Sequence, residues 1–152
     1  MTRHVGGPRG LFRTVALAEA VTWALLLAGM SLKYTHVTEL GVRVFGMLHG
    51  VVFLGYCLTA LVVAVDQRWS RGRTLVALAA SVPPFATLAL ELYVERHDPP
   101  GRRWRLVGTA PAGRVERVTA WLLRNPVHGA TAGLVAVAAL TGVALLVGPP
   151  AG

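Results

Sequence analysis

Residues 42–65 read VRVFGMLHGVVFLGYCLTALVVAV, and this apolar run decides the fold class. An α-helix rises about 1.5 Å per residue, so about 20 apolar residues cross the ~30 Å hydrocarbon layer of a membrane. Three further runs have the same character and similar length: residues 11–32, 74–93 and 126–147. The chain is therefore predicted to be an all-α, multi-pass membrane protein.

Composition and charge agree with this prediction and argue against other classes. Of the 152 residues 54% are hydrophobic, and most charged residues lie in the gaps between the four runs. In a soluble protein the net charge of +8 would suggest nucleic acid as a partner. Here the arginines flank apolar runs, where they contact lipid headgroups. We therefore expect the lipid bilayer as a partner and no nucleic acid.

The sequence contains no pattern typical of an enzyme. It has no Gly-rich phosphate loop, no nucleophile elbow and no paired cysteines. Cys57 is the one cysteine, so no internal disulfide is expected. We predict no catalytic residue, no metal site and no cofactor. The first run, interrupted by Arg13 and Glu19, is expected to remain as a helix rather than be removed as a signal peptide.

The expected architecture is a small antiparallel bundle of four transmembrane helices, in which three helices form a core and one is added. A short amphipathic helix at residues 114–124 is expected to lie in the membrane interface. Asn125 and Pro126 are typical of the start of the helix that follows. The predicted parts are a flexible basic tail (1–10), a three-helix membrane core (11–96), an Arg/Pro/Gly loop with the interfacial helix (97–125), and a fourth transmembrane helix with a tail (126–152).

Two consecutive prolines interrupt the third apolar run. Pro83 and Pro84 have no backbone N–H, and their rings clash with the preceding helical turn. The carbonyls that lose their partners must be satisfied by protein or water when they lie in hydrocarbon. We therefore predict a kink at this point, with the kink facing protein rather than lipid.

The distribution of Lys and Arg leaves two topologies open. Four crossings would place six of these residues on the side of the N-terminus and nine on the opposite side. If the third run instead enters the membrane and returns, thirteen lie on the N-terminal side and two on the other. The positive-inside rule favours the second arrangement. The length of the third run favours a full crossing, which is the topology we predict.

Some residues are of types suited to membrane edges or to close helix contact. Lys33, Tyr34 and Trp69 flank apolar runs and can anchor the chain at the interface. Gly46 and Gly50 are four residues apart, a spacing that lets two helices approach closely.

One acidic residue lies deep within an apolar run. By rise per residue, Glu19 lies ~12 Å below the membrane surface, and Tyr56 and Pro83 lie ~13 Å from the same surface. An intramembrane acid usually faces the bundle interior or a water-filled cavity. The group is either a hydrogen-bonded packing cluster or a proton-linked or ligand-binding pocket. The predicted pocket comprises Glu19, His49, Tyr56, Ser81, Pro83 and Pro84.

Two histidines in apolar runs raise the question of a haem site. His49 and His128 have the side chain that commonly binds haem iron. Rise per residue places His49 ~10 Å and His128 ~3 Å from the same surface, whereas two axial ligands must converge on one iron. We therefore expect His49 to hydrogen-bond across a helix contact.

Several short motifs follow one another in a recognisable order. The series resembles the bacterial integral membrane family called domain of unknown function 3817, over residues 11–96. Ser31 and Ala86 depart from the residues expected there, which are Pro and Gly. The resemblance implies a membrane location, about three helices and a shared set of polar residues, and it implies no reaction. The motifs are Ala16-Leu17-Ala18-Glu19, Met30-Ser31-Leu32-Lys33-Tyr34, Gly46-Met47-Leu48-His49-Gly50, Phe53, Tyr56, Trp69 and Val82-Pro83-Pro84-Phe85.

The small extramembrane mass and the close-packing glycines indicate a role in assembly. We expect a non-enzymatic accessory or interaction subunit of a complex in a bacterial cell membrane, in contact with other subunits or with a second copy. A first alternative is a small proton-linked transporter or ligand-binding protein that uses Glu19, Tyr56 and the break at Pro83. A second alternative is a haem- or quinone-associated membrane protein.

Overall fold

The computed structural model describes residues 6–148 and is entirely helical over that range, with no β-strand. Residues 1–5 and 149–152 of the predicted tails lie outside the described residues, and the first helix begins at Pro8, within the segment 1–10 that was predicted to be a flexible tail. Three helices within this range, Pro8–Tyr34, Leu40–Asp66 and Pro126–Val147, are long and apolar enough to cross a membrane. The helices are α1 (Pro8–Tyr34), α2 (Leu40–Asp66), α3 (Arg71–Ala79), α4 (Ala86–His97), α5 (Arg105–Gly108), α6 (Arg114–Arg124) and α7 (Pro126–Val147).

Helices α1 and α2 form the antiparallel pair on which the rest of the chain is built. They approach most closely near their connecting turn, where a Cβ on Gly29 would lie 2.8 Å from the backbone carbon of Gly41. The contact predicted at Gly46 and Gly50 is different. A Cβ on Gly46 would meet only the Leu26 side chain, at 3.7 Å, and a Cβ on Gly50 would meet open space. The glycines that allow the close approach are therefore Gly29 and Gly41.

The third apolar run is not one helix but two, α3 and α4, separated by residues 80–85. We call α3, these six residues and α4 the helical hairpin, and residues 80–85 the hairpin tip. Because Pro83 and Pro84 donate no hydrogen bond, α3 ends before them and α4 begins after them. Phe85, which precedes α4, adopts a left-handed backbone with φ of 64°. The predicted kink is thus a complete break, and the bundle of four spanning helices is not confirmed.

The two arms of the hairpin run in opposite directions, with α3 beside α2 and α4 beside α1. The Tyr56 hydroxyl of α2 donates to the Ala77 carbonyl of α3 at 2.9 Å. Helix α4 is antiparallel to α1, as its ordered contacts with that helix show: Thr87 with Glu19, Glu91 with Arg13, and Glu95 with Arg9.

The open ends of the hairpin lie together. The Arg73 guanidinium, at the start of α3, donates to the Asp98 carbonyl at 2.7 Å and also contacts the Asp98 carboxylate, just after α4. At 1.5 Å per residue the arms are about 13 and 18 Å long, roughly half the ~30 Å hydrocarbon thickness. The hairpin therefore reaches the middle of α1 and returns.

The loop after the hairpin is tied to the end of α2 by a buried carboxylate. Asp66 accepts hydrogen bonds from the backbone N–H groups of Arg105 at 3.1 Å and Leu106 at 2.9 Å. The Arg105 guanidinium donates to the Asp66 carbonyl at 2.6 Å and to Glu116 at 2.8 Å. The backbone N–H of Ala112, together with the Arg105 guanidinium, holds the pKa of the Glu116 carboxyl below its usual range. Helices α5 and α6 are thus fixed to α2.

Helices α6 and α7 have the bounds predicted at residues 114–124 and from residue 126. Val115, Val118 and Trp121 of α6 are exposed, so an apolar surface is open to the surroundings, and its placement in the membrane interface stays a prediction. Asn125 does not cap α7 with its side chain, which instead donates to the Trp121 carbonyl at 2.9 Å. No residue of α7 is buried in the described chain.

Cationic residues are concentrated at one end of the molecule, which we call the arginine-rich end. This end comprises the start of α1, the end of α2, the open ends of the hairpin, and α5 and α6. Twelve of the described arginines lie there, whereas Lys33 and Arg43 lie at the opposite end. Lys33 is 3.8 Å from Glu39, and Tyr34 is exposed. Trp69 lies at the arginine-rich end.

Candidate functional site

The buried Glu19 lies at the centre of the polar residues within the membrane-spanning region. Its side chain has 0% exposure, and its Oε2 accepts a hydrogen bond from the Thr87 hydroxyl at 2.5 Å. Its Oε1 is buried without a hydrogen-bond partner in the described chain. The indole N–H of Trp23, one helical turn further along α1, is also buried and makes no close hydrogen bond in the described chain. The Trp23 indole is close enough to act on the Glu19 carboxyl, so this donor and this acceptor lie near each other and can pair.

A second set of bonds connects this position to α2. The Thr22 hydroxyl donates to the Glu19 carbonyl at 2.9 Å and lies 3.0 Å from His49 Nδ1. Because Thr22 has one hydroxyl proton, giving it to the carbonyl leaves His49 Nδ1 as the donor in their bond. The His49 ring also packs against Trp23, with ring centroids 4.5 Å apart. Thr22 therefore joins His49 to the backbone of Glu19.

Tyr56 donates its hydrogen bond to the hairpin rather than to Glu19. Ser81 N–H bonds to the Leu78 carbonyl at 3.2 Å, so the Ala77 carbonyl loses its helical donor near the end of α3. The Tyr56 hydroxyl replaces that donor. The Ser81 hydroxyl donates to the Leu78 carbonyl at 2.6 Å, and its oxygen lies 3.8 Å from Cys57 Sγ. These bonds satisfy the backbone where α3 unwinds.

Aromatic side chains pack together between Glu19 and the arginine-rich end. Phe12 of α1 lies between Tyr56, at 5.9 Å, and Trp69, at 5.5 Å in an edge-to-face contact. The Arg73 guanidinium lies 4.2 Å above the Trp69 ring. Trp69, predicted as an interfacial anchor, thus also packs against the core, below the level of Glu19.

The hairpin tip is exposed. Val82 and Phe85 have 66% and 43% of their surfaces exposed, and Pro83 and Pro84 are exposed as well. No residue of the described chain covers the two prolines, so the prediction that they face protein stays a prediction. No hydrogen bond within residues 6–148 reaches four carbonyls around the break, those of Ala80, Ser81, Val82 and Pro84.

The six predicted pocket residues are therefore not one pocket. Glu19 and His49 are linked through Thr22, Tyr56 and Ser81 support α3, and Pro83 and Pro84 form the exposed tip. Sequence reasoning missed Thr22, Trp23 and Thr87. Only Thr22 and Trp23 carry a signal in the sequence, because they lie three and four residues after Glu19 and therefore on the same helix face.

Two clefts of the described chain lie away from the Glu19 group. One is lined by Gly7, Arg9 and neighbouring residues at the arginine-rich end, and the other by Lys33 and Glu39 at the opposite end. No group of three His, Cys, Asp or Glu side chains within residues 6–148 is arranged to hold a metal ion. His128 packs on Trp121, with ring centroids 5.9 Å apart, so the two histidines have separate surroundings.

Comparison with known proteins places the first part of the chain in a family. The family described as "Domain of unknown function (DUF3817)" matches residues 9–96, which cover α2, α3 and all but one terminal residue each of α1 and α4. A Streptomyces coelicolor protein named "Putative membrane protein SCO5905" is 52% identical over 87 residues. That match covers 56% of this chain and 10% of the relative, so the chain spans about a tenth of the relative's length. No solved structure matches. With most of its described length matched and its hydrophobic helices in place, this membrane protein belongs to the DUF3817 family.

Proposed function

We propose that this protein is a non-enzymatic subunit of a bacterial cell-membrane complex, and that its hairpin tip binds a larger membrane protein. The supporting observation is the exposure of the tip. A non-helical backbone at membrane depth is tolerated only where protein buries it or water fills a cavity around it, because an unpaired carbonyl in hydrocarbon costs several kcal/mol. The tip has four such carbonyls and exposed apolar side chains beside them.

The depth of the tip makes contact with another protein the best explanation. Thr87, the second residue of α4, bonds to Glu19, about halfway along the apolar part of α1. The tip therefore lies near the bilayer midplane, beyond the reach of headgroups and interfacial water. Val82 and Phe85 supply an apolar contact, and the carbonyls of the tip accept hydrogen bonds from the partner.

The comparison with the Streptomyces coelicolor protein favours a large partner over a small one. About nine-tenths of that membrane protein lies outside the region that matches this chain. The family core is thus part of a much longer polypeptide in that relative. We propose that here the same core associates with a comparably large membrane chain.

The proposed orientation follows from charge. If the hairpin returns to the side from which it entered, all twelve described arginines of the arginine-rich end lie on one side of the membrane. The positive-inside rule then places this end in the cytoplasm. Helices α1, α2 and α7 make three crossings, and the exposed apolar residues of α6 lie in the cytoplasmic interface.

Site-specific photo-cross-linking tests the contact at the tip. A photo-reactive amino acid is placed at Val82 in one variant and at Val135 of α7 in the control, since these side chains are 66% and 67% exposed. In native bacterial membranes the Val82 variant should form one discrete adduct with a larger protein. The Val135 variant should react mainly with lipid.

The same measurement has two outcomes that contradict the proposal. Lipid adducts alone at Val82 would mean that no protein covers the tip. An adduct of twice the mass of the chain would mean self-association instead of a larger partner. Mass spectrometry of the cross-linked band distinguishes these results.

A proton-linked transporter or binding protein is a second candidate, supported by the fully buried carboxyl of Glu19. Broken helices that meet an acidic side chain at the midplane are typical of transporters. In proteoliposomes loaded with a pH-sensitive dye, an imposed membrane potential should drive proton uptake that Glu19→Gln abolishes. Thr87→Val, which removes the hydrogen bond but keeps the carboxyl, should retain most of the uptake.

Two results would reject this second candidate. Uptake by the unmodified protein that equals uptake by empty vesicles would mean that no proton pathway exists. Equal uptake by the Glu19→Gln variant would mean that the carboxyl only holds α4 in place. The remaining alternative is a haem- or quinone-associated protein, and its haem version requires a Soret band in the absorbance spectrum of the purified protein.

A further inference from the structure

A cleft at the arginine-rich end lies where the first membrane-spanning helix begins. It has a volume of about 350 Å³ and opens to the surroundings. The start of α1 forms one wall, and the end of α4 and the following loop form the other. Its lining residues are Gly7, Arg9, Gly10, Arg13, Glu95 and Arg102.

The charge of this cleft is unbalanced. Three guanidinium groups line it, against a single carboxylate. Arg9 is bound to that carboxylate, with its Nε 2.9 Å from Glu95 Oε2. Arg13 is 62% exposed, and its Nε lies 3.9 Å from Glu91, a distance too long for a hydrogen bond. Because Glu91 still forms an ion pair with Arg13 at this distance, Arg102 is the one lining guanidinium without a carboxylate partner among the described residues, and the cleft keeps its positive charge.

The backbone fixes the shape of the cleft. A Cβ on Gly7 would lie 1.9 Å from the Arg102 carbonyl oxygen, so the two segments touch directly and any larger residue would separate them. Arg102 is thus held beside the start of α1. The first N–H groups of a helix have no intrahelical acceptor, and the helix dipole adds partial positive charge at this point. Both features favour an anion.

We propose that this cleft binds the phosphate group of an anionic phospholipid. Arginine binds phosphate oxygens through its planar fork of N–H groups. The cleft lies at the entry of α1 into the hydrocarbon, which is the level of the headgroup phosphates. Basic pockets beside transmembrane helices on the cytoplasmic side bind anionic headgroups in the same way.

Thermal unfolding in a neutral detergent tests this site. Phosphatidylglycerol, phosphatidylcholine and inorganic phosphate are added separately to the unmodified protein and to two double variants. Arg13→Gln/Arg102→Gln removes two cations from the cleft and leaves the Arg9–Glu95 pair intact. Arg114→Gln/Arg117→Gln removes two exposed cations from α6 at the same end, so it has the same net charge.

Phosphatidylglycerol should raise the unfolding temperature of the unmodified protein and of the α6 variant by several degrees, with phosphatidylcholine giving a much smaller shift. In the cleft variant most of the shift should be lost, when the shift is measured from that variant's own unfolding temperature without lipid. An equal loss in the α6 variant would mean general surface attraction and overturn the site. A phosphatidylglycerol shift no larger than that of phosphatidylcholine would do the same. If inorganic phosphate alone reproduces the full shift, the assignment to lipid is wrong.

Discussion

Replacing Asp66 by alanine should release α5 and α6 from the rest of the protein. Asp66 is fully buried and accepts hydrogen bonds from the backbone N–H groups of Arg105 and Leu106. Alanine leaves both N–H groups without an acceptor, and removing one partner of a buried ionic network costs about 3–5 kcal/mol. Trypsin should then cleave the loop at the exposed Arg102 and Arg103 much faster than in the unmodified protein.

The control for this experiment is Asp98→Ala. The Asp98 side chain is 77% exposed and pairs with Arg73, so its loss should cost no more than about 1 kcal/mol. Asp66→Asn should be intermediate, because an amide has one acceptor oxygen where the carboxylate has two. Equal rates of cleavage in the Asp66→Ala and Asp98→Ala variants would show that the loop is held by other contacts.

Gly29→Ala should destabilise the pairing of α1 and α2. The added Cβ would lie 2.8 Å from the carbonyl carbon of Gly41 and 2.9 Å from its oxygen, which are backbone atoms that cannot rotate away. The helices must separate, and overpacking of this kind typically costs about 1–3 kcal/mol. The expected result is a clear decrease in the unfolding temperature measured in detergent.

Gly50→Ala is the matched control on the same helix pair. A Cβ at Gly50 has no neighbour within 4 Å, and alanine favours a helix by up to about 1 kcal/mol over glycine. The unfolding temperature of this variant should stay the same or increase slightly. If the two variants lose equal stability, the close approach at Gly29 and Gly41 does not hold the pair together.

The long helices could be predicted from sequence because each depends on a single property. Apolar runs of about 20 residues gave α1, α2 and α7 with bounds close to those of the structure. The third run satisfies the same length criterion, yet it forms a hairpin. Its direction depends on which neighbours satisfy its broken backbone. Tyr56 of α2 satisfies the Ala77 carbonyl of α3, while the Thr87 hydroxyl of α4 donates to Glu19 of α1, and no one-dimensional pattern specifies these pairings.

The candidate site was predictable to a similar extent. The depth of Glu19 follows from counting residues, and its burial agrees with the usual placement of an intramembrane acid. Its partners do not follow from depth, because a hydrogen bond also requires the correct rotation of each helix. The Glu19 carboxylate therefore accepts its hydrogen bond from Thr87, although Tyr56 was predicted at a similar depth in the membrane.

The short arms of the hairpin also constrain how the protein is made. Neither α3 nor α4 is long enough to leave the translocation machinery as a stable transmembrane segment. Each arm obtains its buried hydrogen bonds from a helix that precedes it in the chain, α3 from Tyr56 and α4 from Glu19. During biogenesis α1 and α2 must therefore be inserted and paired first, and the hairpin folds into the bilayer against them afterwards.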